Sequence, residues 1–191
     1  MGKTVGVLAL QGDYAKHAEV IKKLEYNTIF VRDTADLRNC NALIIPGGES
    51  TTFLKLIEKI GLRNPLIEFG KQKVIMGTCA GLIILAAKTN ALECEPLKLI
   101  DIEVHRNAYG RQIDSFVDEI NLRMNGTPVK YEGVFIRAPK IVSIGKSVQP
   151  LAYHGDDIVM ASNENILVAT FHPELTDDSI IHKYFLENFV F

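Results

Sequence analysis

A cysteine stands between two glycines in Gly77-Thr78-Cys79-Ala80-Gly81, where the apolar segment Val74-Ile75-Met76 meets a second apolar run starting at Ala80. This is the thiol counterpart of the Gly-x-Ser-x-Gly elbow, in which a nucleophile sits on a tight turn between a strand and a helix. The glycines remove side chains that would clash across such a turn. A helix starting at Ala80 would aim its unpaired N–H groups and positive dipole end at Cys79, which favours thiolate, the nucleophilic form. A cysteine at a strand–helix junction also fits a small buried core residue. A partner base would separate the two readings.

The partner is in Phe171-His172-Pro173-Glu174, at the end of the apolar segment 167–171. Residues two apart in extended chain point the same way, and Pro173 keeps the residue before it extended. Glu174 could then accept from one ring nitrogen of His172, leaving the other to take a proton from Cys79. A third piece is Pro46-Gly47-Gly48-Glu49-Ser50, which ends the apolar segment 42–45. Paired glycines let backbone N–H groups approach a ligand closely. This loop could supply one oxyanion donor, with the N–H of Ala80 as the other. It also fits a plain Gly-Gly turn. Gly2-Lys3-Thr4 has no upstream glycine and precedes its strand, so it does not read as a phosphate loop.

Elements that could position these groups are legible in the hydrophobic pattern. Short apolar strands are expected at 4–10, 27–31, 42–45 and 73–76. Helices are expected over 14–24, with Ala15, Ala18, Ile21 and Leu24 on the apolar face, and from Ser50 or Thr51 as cap through Phe53, Leu54, Ile57 and Ile60. A further apolar helix is expected over 80–87. Alternating strands and helices predict an α/β fold with a parallel sheet covered on both faces. The second half predicts strands at 99–104, 112–120, 133–136, 141–144, 151–153, 158–161 and 167–171, then a helix over 179–189. Asn125-Gly126-Thr127 matches a glycosylation sequon but reads as a turn. With no repeat, low-complexity stretch or linker, residues 1–191 are expected to form a single domain.

Composition bounds the function classes. A chain of 191 residues matches the size of one domain. Hydrophobic residues at 47% and charged residues at 23% suit a globular fold rather than a disordered one. Lys+Arg of 21 against Asp+Glu of 23 disfavours the basic footprint of a nucleic-acid binder. Three cysteines make a disulfide scaffold improbable and suit a reducing, cytoplasmic compartment. The apolar run 82–87 is far short of the ~20 residues that span a bilayer. The N-terminus shows no small-residue cleavage site, so no signal peptide is expected. His17, His105, His154 and His182 show no metal spacing, and no metal is expected. Cys40 and Cys94 sit at no such elbow and are expected to be structural.

Gly-Thr-Cys-Ala-Gly, His-Pro-Glu and Pro-Gly-Gly-Glu-Ser together resemble the class I, triad-type glutamine amidotransferases. Further segments narrow the likeness to the glutaminases that serve pyridoxal 5′-phosphate synthase: Val7-Leu8-Ala9-Leu10-Gln11-Gly12-Asp13 with His17, Arg106-Asn107-Ala108-Tyr109-Gly110-Arg111-Gln112, Phe135-Ile136-Arg137-Ala138-Pro139, and residues 171–178. The resemblance runs in order along nearly the whole chain and is poor only over 90–96, 121–130 and 153–164. It implies a three-layer, flavodoxin-like fold with a mostly parallel central sheet and helices on both faces. It implies hydrolysis of L-glutamine to L-glutamate and ammonia through a thioester, with no cofactor. Cys79 would be the nucleophile, His172 the general base and acid, and Glu174 its orienter. Gly47, Gly48 and Ala80 would form the oxyanion hole. Gly47, Gly48, Glu49, Arg106, Ile136 and Arg137 would bind the substrate, with Arg106 meeting its carboxylate. A glutaminase domain fills the length, so the ammonia-accepting synthase subunit is expected on another chain, in a hetero-oligomeric complex. Three alternatives stay open: a glutaminase serving another synthase, such as that making imidazole glycerol phosphate, an inactive regulatory module, and a thiol peptidase.

Overall fold

The computed structural model describes residues 3–90, 92–106, 115–124, 126 and 128–190. The first half alternates strands and helices: β1 (Thr4–Leu8), α1 (Tyr14–Lys23), β2 (Asn27–Val31), α2 (Thr34–Arg38), β3 (Ala42–Ile45), α3 (Ser50–Lys59), α4 (Arg63–Gln72), β4 (Val74–Thr78) and α5 (Ala80–Leu85). Then come β5 (Ala86–Thr89), β6 (Ile100–His105), β7 (Ser115–Leu122), β8 (Val129–Ile136), β9 (Lys140–Ile144), β10 (Gln149–His154), β11 (Asp157–Ser162), β12 (Ile166–Ala169) and α6 (Ile180–Phe185).

Among the described residues nine strands form one sheet in the order β2-β1-β3-β4-β12-β11-β10-β7-β8. From β2 to β12 neighbours run parallel, and from β12 to β8 they run antiparallel. The parallel half has the doubly wound order of flavodoxin-like folds, whose ligands bind beyond the carboxyl ends of the strands. The whole sheet is mixed, because the late strands connect by short hairpins, which only antiparallel neighbours allow. A second, three-stranded sheet is β5-β6-β9.

Alternation along the central strands divides the core in two. Leu43, Ile45 and Ile75 face one side with Phe53, Leu54, Leu66 and Leu82, from α3, α4 and α5. Val5, Val7, Ile44 and Met76 face the other with Ala18 and Ile21 of α1 and Ile181 and Phe185 of α6. Helices α1 and α6 therefore share one face of the sheet. This period-two division is what a parallel sheet covered on both faces requires.

Several boundaries differ from the sequence-based expectation. Strand β1 stops at Leu8, and β4 runs on to Thr78, held by ladder pairs to β3 and β12. The apolar run 80–87 stops being helical at Leu85, where the N–H groups of Leu97 and Leu99 take the carbonyls of Ile84 and Leu85 and Ala86 pairs with Ile100. Helix α1 buries His17, Ala18, Val20 and Ile21, while Ala15 is exposed. Helix α3 is capped by Glu49 rather than Ser50 or Thr51: its carboxylate accepts from Thr51 N at 3.0 Å and Thr52 N at 2.7 Å. Helices α2 and α4 were not expected; α2 is only five residues long, and α4 has Pro65 in its first turn, where no helical N–H is needed. The last helix widens into a π-type turn over Leu186–Val190. Residues 107–114, Asn125 and Thr127, with most of the Arg106–Gln112 motif, the start of the strand expected at 112–120 and most of the sequon, lie outside the described residues.

Gly81 shows how closely α5 meets the sheet: a Cβ there would lie 2.1 Å from the Ile45 carbonyl oxygen, which is backbone and cannot move aside. Gly81→Ala is therefore expected to cost about 1–3 kcal/mol, read as a lowered urea midpoint with unchanged slope; an unshifted midpoint would show that β3 and α5 separate freely.

Candidate active site

Four strand ends of the parallel half converge. β3 leads into Gly47-Gly48-Glu49, β4 into Cys79 and β12 into His172, while β1 leads toward Asp13. Thr78 faces Ala169 across the β4–β12 ladder, and the Cys79 N–H bonds the Ala169 carbonyl at 2.9 Å. The nucleophile candidate and the base candidate thus leave the sheet on adjacent strands. Cys79 has φ +48, a conformation that costs energy for a residue with a side chain and that the elbow enforces. The first N–H of α5 to bond back is that of Ile83, to the Cys79 carbonyl at 3.3 Å, so the N–H groups of Ala80, Gly81 and Leu82 precede the helical ladder.

His172 and Glu174 pair as their spacing suggested: Nδ1 lies 2.7 Å from Oε1, with the carboxylate side chain fully buried. His172 is bonded through its N–H to the Val134 carbonyl at 2.8 Å, which ties β8 to the site. Burial pushes the imidazole down, but Cys79 and Glu174 outweigh it and raise His172 to about 10. Burial likewise pushes Glu174 up, and this is outweighed by His17 and His172, which hold it well below the usual carboxylate range. The pair is therefore an ion pair held out of water. His172 Nε2 makes no hydrogen bond, and the Cys79 thiol lies 3.8 Å from the Ile136 carbonyl.

Gly47 sits directly over the imidazole: a Cβ there would lie 2.4 Å from His172 Cε1 and 3.4 Å from Cys79 Cβ. Only glycine fits. A pocket of about 250 Å³ is lined by Cys79, His172, Gly48, Glu49, Ser50, Arg106, Ile136 and Arg137, with Asp13 and Ile83. Every candidate from the sequence is thus at the site: eight groups line or cover the pocket, Ala80 follows the nucleophile, and Glu174 backs the imidazole. Arg106 Nη2 lies 3.1 Å from Glu49 Oε1. Burial nudges Glu49 up, but the N–H groups of Thr52 and Thr51 hold it down at about 2, so it remains a carboxylate.

Sequence reasoning missed Asp13, Ser50 and Ile83 in the pocket, and two histidines behind it. His17 Nε2 lies 3.3 Å from Glu174 Oε2, and His17 Nδ1 lies 2.9 Å from His182 Nε2. The available signal was a histidine inside the apolar stripe of each amphipathic helix. Among the described residues, Asp13, His172 and Glu174 offer ligand-type atoms within 4.8 Å of one another, but His172 and Glu174 are committed to each other and Asp13 is exposed. Cys40 is buried against Gly6 and its thiol is pushed up to about 11 by burial, which makes it inert. Cys94 packs, partly buried, at the edge of the first core. No helix among the described residues is long and apolar enough to cross a membrane.

Known proteins resemble this chain in sequence and fold. The chain is 45% identical over 192 residues to pyridoxal 5′-phosphate synthase subunit PdxT of Thermococcus onnurineus, covering 95% of this chain and 96% of that one. It is 47% identical over 186 residues to the subunit of the same name from Francisella philomiragia, covering 97% and 99%. A crystal structure described as glutamine amidotransferase superposes with a TM-score of 0.90 at 41% identity, covering 96% of this chain and 97% of that one. PurLQS from Thermotoga maritima shares the fold at a TM-score of 0.72 and 16% identity, covering 95% and 92%. The model of the SNO glutamine amidotransferase family matches residues 7–191. An elbow cysteine beside a carboxylate-paired histidine, on this sheet and with these relatives, places the chain in the SNO glutamine amidotransferase family.

Proposed function

We propose that this chain is the glutaminase of a pyridoxal 5′-phosphate synthase: it hydrolyses L-glutamine to L-glutamate and passes ammonia to a separate synthase subunit. The observation that carries the reading is His172, bonded through Nδ1 to buried Glu174 and set beside Cys79 beneath the Gly47 loop. Relatives named as such subunits, about 45% identical over nearly their full length, support the destination of the ammonia. Residues 1–191 would act as one glutaminase unit in the cytoplasm, in a hetero-oligomer with the synthase.

In this reading Cys79 Sγ attacks the side-chain amide carbon as the thiolate, its proton held on His172 Nε2 in the imidazolium. Backbone N–H groups of Ala80 and the Gly47–Gly48 segment hold the oxyanion. The C–N bond breaks as His172 returns the proton to the departing ammonia. Water then attacks the thioester, gives its proton to His172, and releases glutamate as the thiolate and imidazolium are restored. Glu174 keeps Nδ1 protonated and the ring aimed. Glu49 and Arg106 neutralise each other at rest. A zwitterionic substrate can exchange with both, its carboxylate meeting Arg106 and its ammonium meeting Glu49, at no net change in charge. Ile136 and Arg137 would complete the pocket wall.

Cys79→Ala and Cys79→Ser are expected to abolish glutaminase activity with an unchanged circular dichroism spectrum; substantial turnover by either would overturn the nucleophile assignment. One lost oxyanion donor costs ~10²–10³ in rate, so the glycine loop can act as a switch. Activity should be low for the chain alone and rise on adding the synthase subunit, and an unchanged rate would remove the switch. Rescue of a pyridoxine-requiring strain, but not a histidine-requiring one, would identify the synthase served.

Glu174, depressed from 4.5, stabilises the fold above that pH and loses the contribution as pH falls toward 2. His172, raised from 6.5 to about 10, contributes below 6.5 and loses it as pH rises through that range. The pair is therefore worth most between those ordinary values. Glu174→Gln should lower the urea midpoint more at pH 5.5 than at pH 2.5, and an equal loss at both would show that the pair is not ionic.

A further inference from the structure

Two histidines are completely buried in the second core, where nothing in the glutaminase mechanism yet uses them. His17 comes from α1 and His182 from α6, 165 residues later. Their rings meet at 2.9 Å between His17 Nδ1 and His182 Nε2. The other nitrogen of His17, Nε2, lies 3.2 Å from Thr78 Oγ1 and 3.3 Å from Glu174 Oε2. Polar groups buried this deeply are costly unless paired, so the protonation pattern of the chain is constrained.

Burial lowers both imidazoles, His182 to about 3, so each is neutral and carries one N–H. Two patterns satisfy the contact between the rings. If His17 donates from Nδ1, its bare Nε2 faces a carboxylate oxygen, and the His182 proton sits on Nδ1, a buried atom with no acceptor. If His182 donates from Nε2, the His17 proton sits on Nε2 and points at Glu174 and Thr78. That leaves a bare lone pair on His182 Nδ1. A stranded buried donor beside a pair of clashing acceptors costs more than a bare imidazole lone pair, so the second pattern holds.

We propose that His17 is a positioning residue of the triad: its Nε2 proton, held by Thr78 Oγ1 at 3.2 Å, lies against the second carboxylate oxygen of Glu174 at 3.3 Å, and His182 fixes its tautomer from the last helix. No aligned hydrogen bond reaches that oxygen among the described residues, so its buried charge is faced by His17 through the contact at 3.3 Å. With His172 bonded to Oε1 and the His17 N–H beside Oε2, rotation of the carboxylate would take it away from both. The same N–H touches Thr78, the residue before the nucleophile. Helices α1 and α6 thereby brace the triad from beneath the sheet. The charged or titratable groups facing His17 are Glu174, His172, Asp13 and His182.

The kinetic arm of the test rests on the glutaminase reading, and a second arm needs no glutamine. Alkylation of Cys79 by iodoacetamide is followed against pH by mass spectrometry of its peptide, in the complex with the synthase subunit. Loss of the His17 donor lets Glu174 protonate at higher pH and weakens its support of the imidazolium. The acid limb of the alkylation profile should therefore move up in His17→Leu, slowing alkylation there about threefold or more. For glutamine, kcat should fall about 10–100-fold, as for lost outer-shell partners elsewhere, with KM little changed. His17→Gln, whose amide nitrogen can stand where Nε2 stood, should restore most of both. An unmoved acid limb in folded His17→Leu, or equal Tm losses in the Leu and Gln variants with neither profile moved, would overturn the proposal. If His17→Leu does not fold, His182→Leu carries the same expectation and the same refutation. A wild-type chain without glutaminase turnover would defeat the function while leaving the alkylation arm to decide the role of His17.

Discussion

The structure depends on one ladder, the parallel pairing of β4 with β12. These strands lie 91 residues apart by their paired ends, Thr78 and Ala169, and nothing local brings them together. Once paired, they deliver Cys79 and His172 to neighbouring points on the carboxyl edge of the sheet. The Cys79 N–H bond to the Ala169 carbonyl extends the ladder one step into the elbow. The strained φ of Cys79 is tolerable because strand, helix and this bond all hold the residue at once. The close contacts at Gly47 and Gly81 follow from the same convergence, since loop and helix must crowd onto two adjacent strand ends.

The second constraint is electrostatic. A fully buried carboxylate is unstable on its own and would take up a proton. Here its charge is matched by His172 on one oxygen and faced by His17 on the other. The site therefore remains polar inside a core that is otherwise apolar on both faces of the sheet. Its more exposed charges are balanced differently. Glu49 is both the cap of α3 and the partner of Arg106, so the helix terminus, the glycine loop and the pocket charge form one unit. Such coupling ties any movement of the loop to the pocket charge and the start of α3.

Much of the fold was legible because its signals are local. Segments 27–31 and 42–45 are strands with the boundaries their hydrophobicity suggested, and α1 and α3 form where expected, burying their apolar stripes apart from the exposed Ala15 and Ile60 at the ends. The misses came where contacts distant in sequence overrode local preference. Residues 86 and 87 read as helix, but Ala86 pairs with Ile100. Ser50 and Thr51 are good caps, but the longer Glu49 side chain reaches two N–H groups at once. The role of His17 was not legible because its compensating partners, Glu174 and His182, lie in other parts of the chain.

The sequence alone determined the chemistry. Gly-x-Cys-x-Gly at a strand–helix junction and His-x-Glu at a strand end are local patterns whose geometry follows from backbone rules, and they singled out Cys79, His172 and Glu174 as the candidates that the fold brings together. Tertiary structure alone decided how those groups are charged and braced. The direction of each shift depends on burial and on neighbours such as His17, His182 and Arg106. Burial and long-range neighbours are properties of packed strands and helices, and no stretch of sequence contains them.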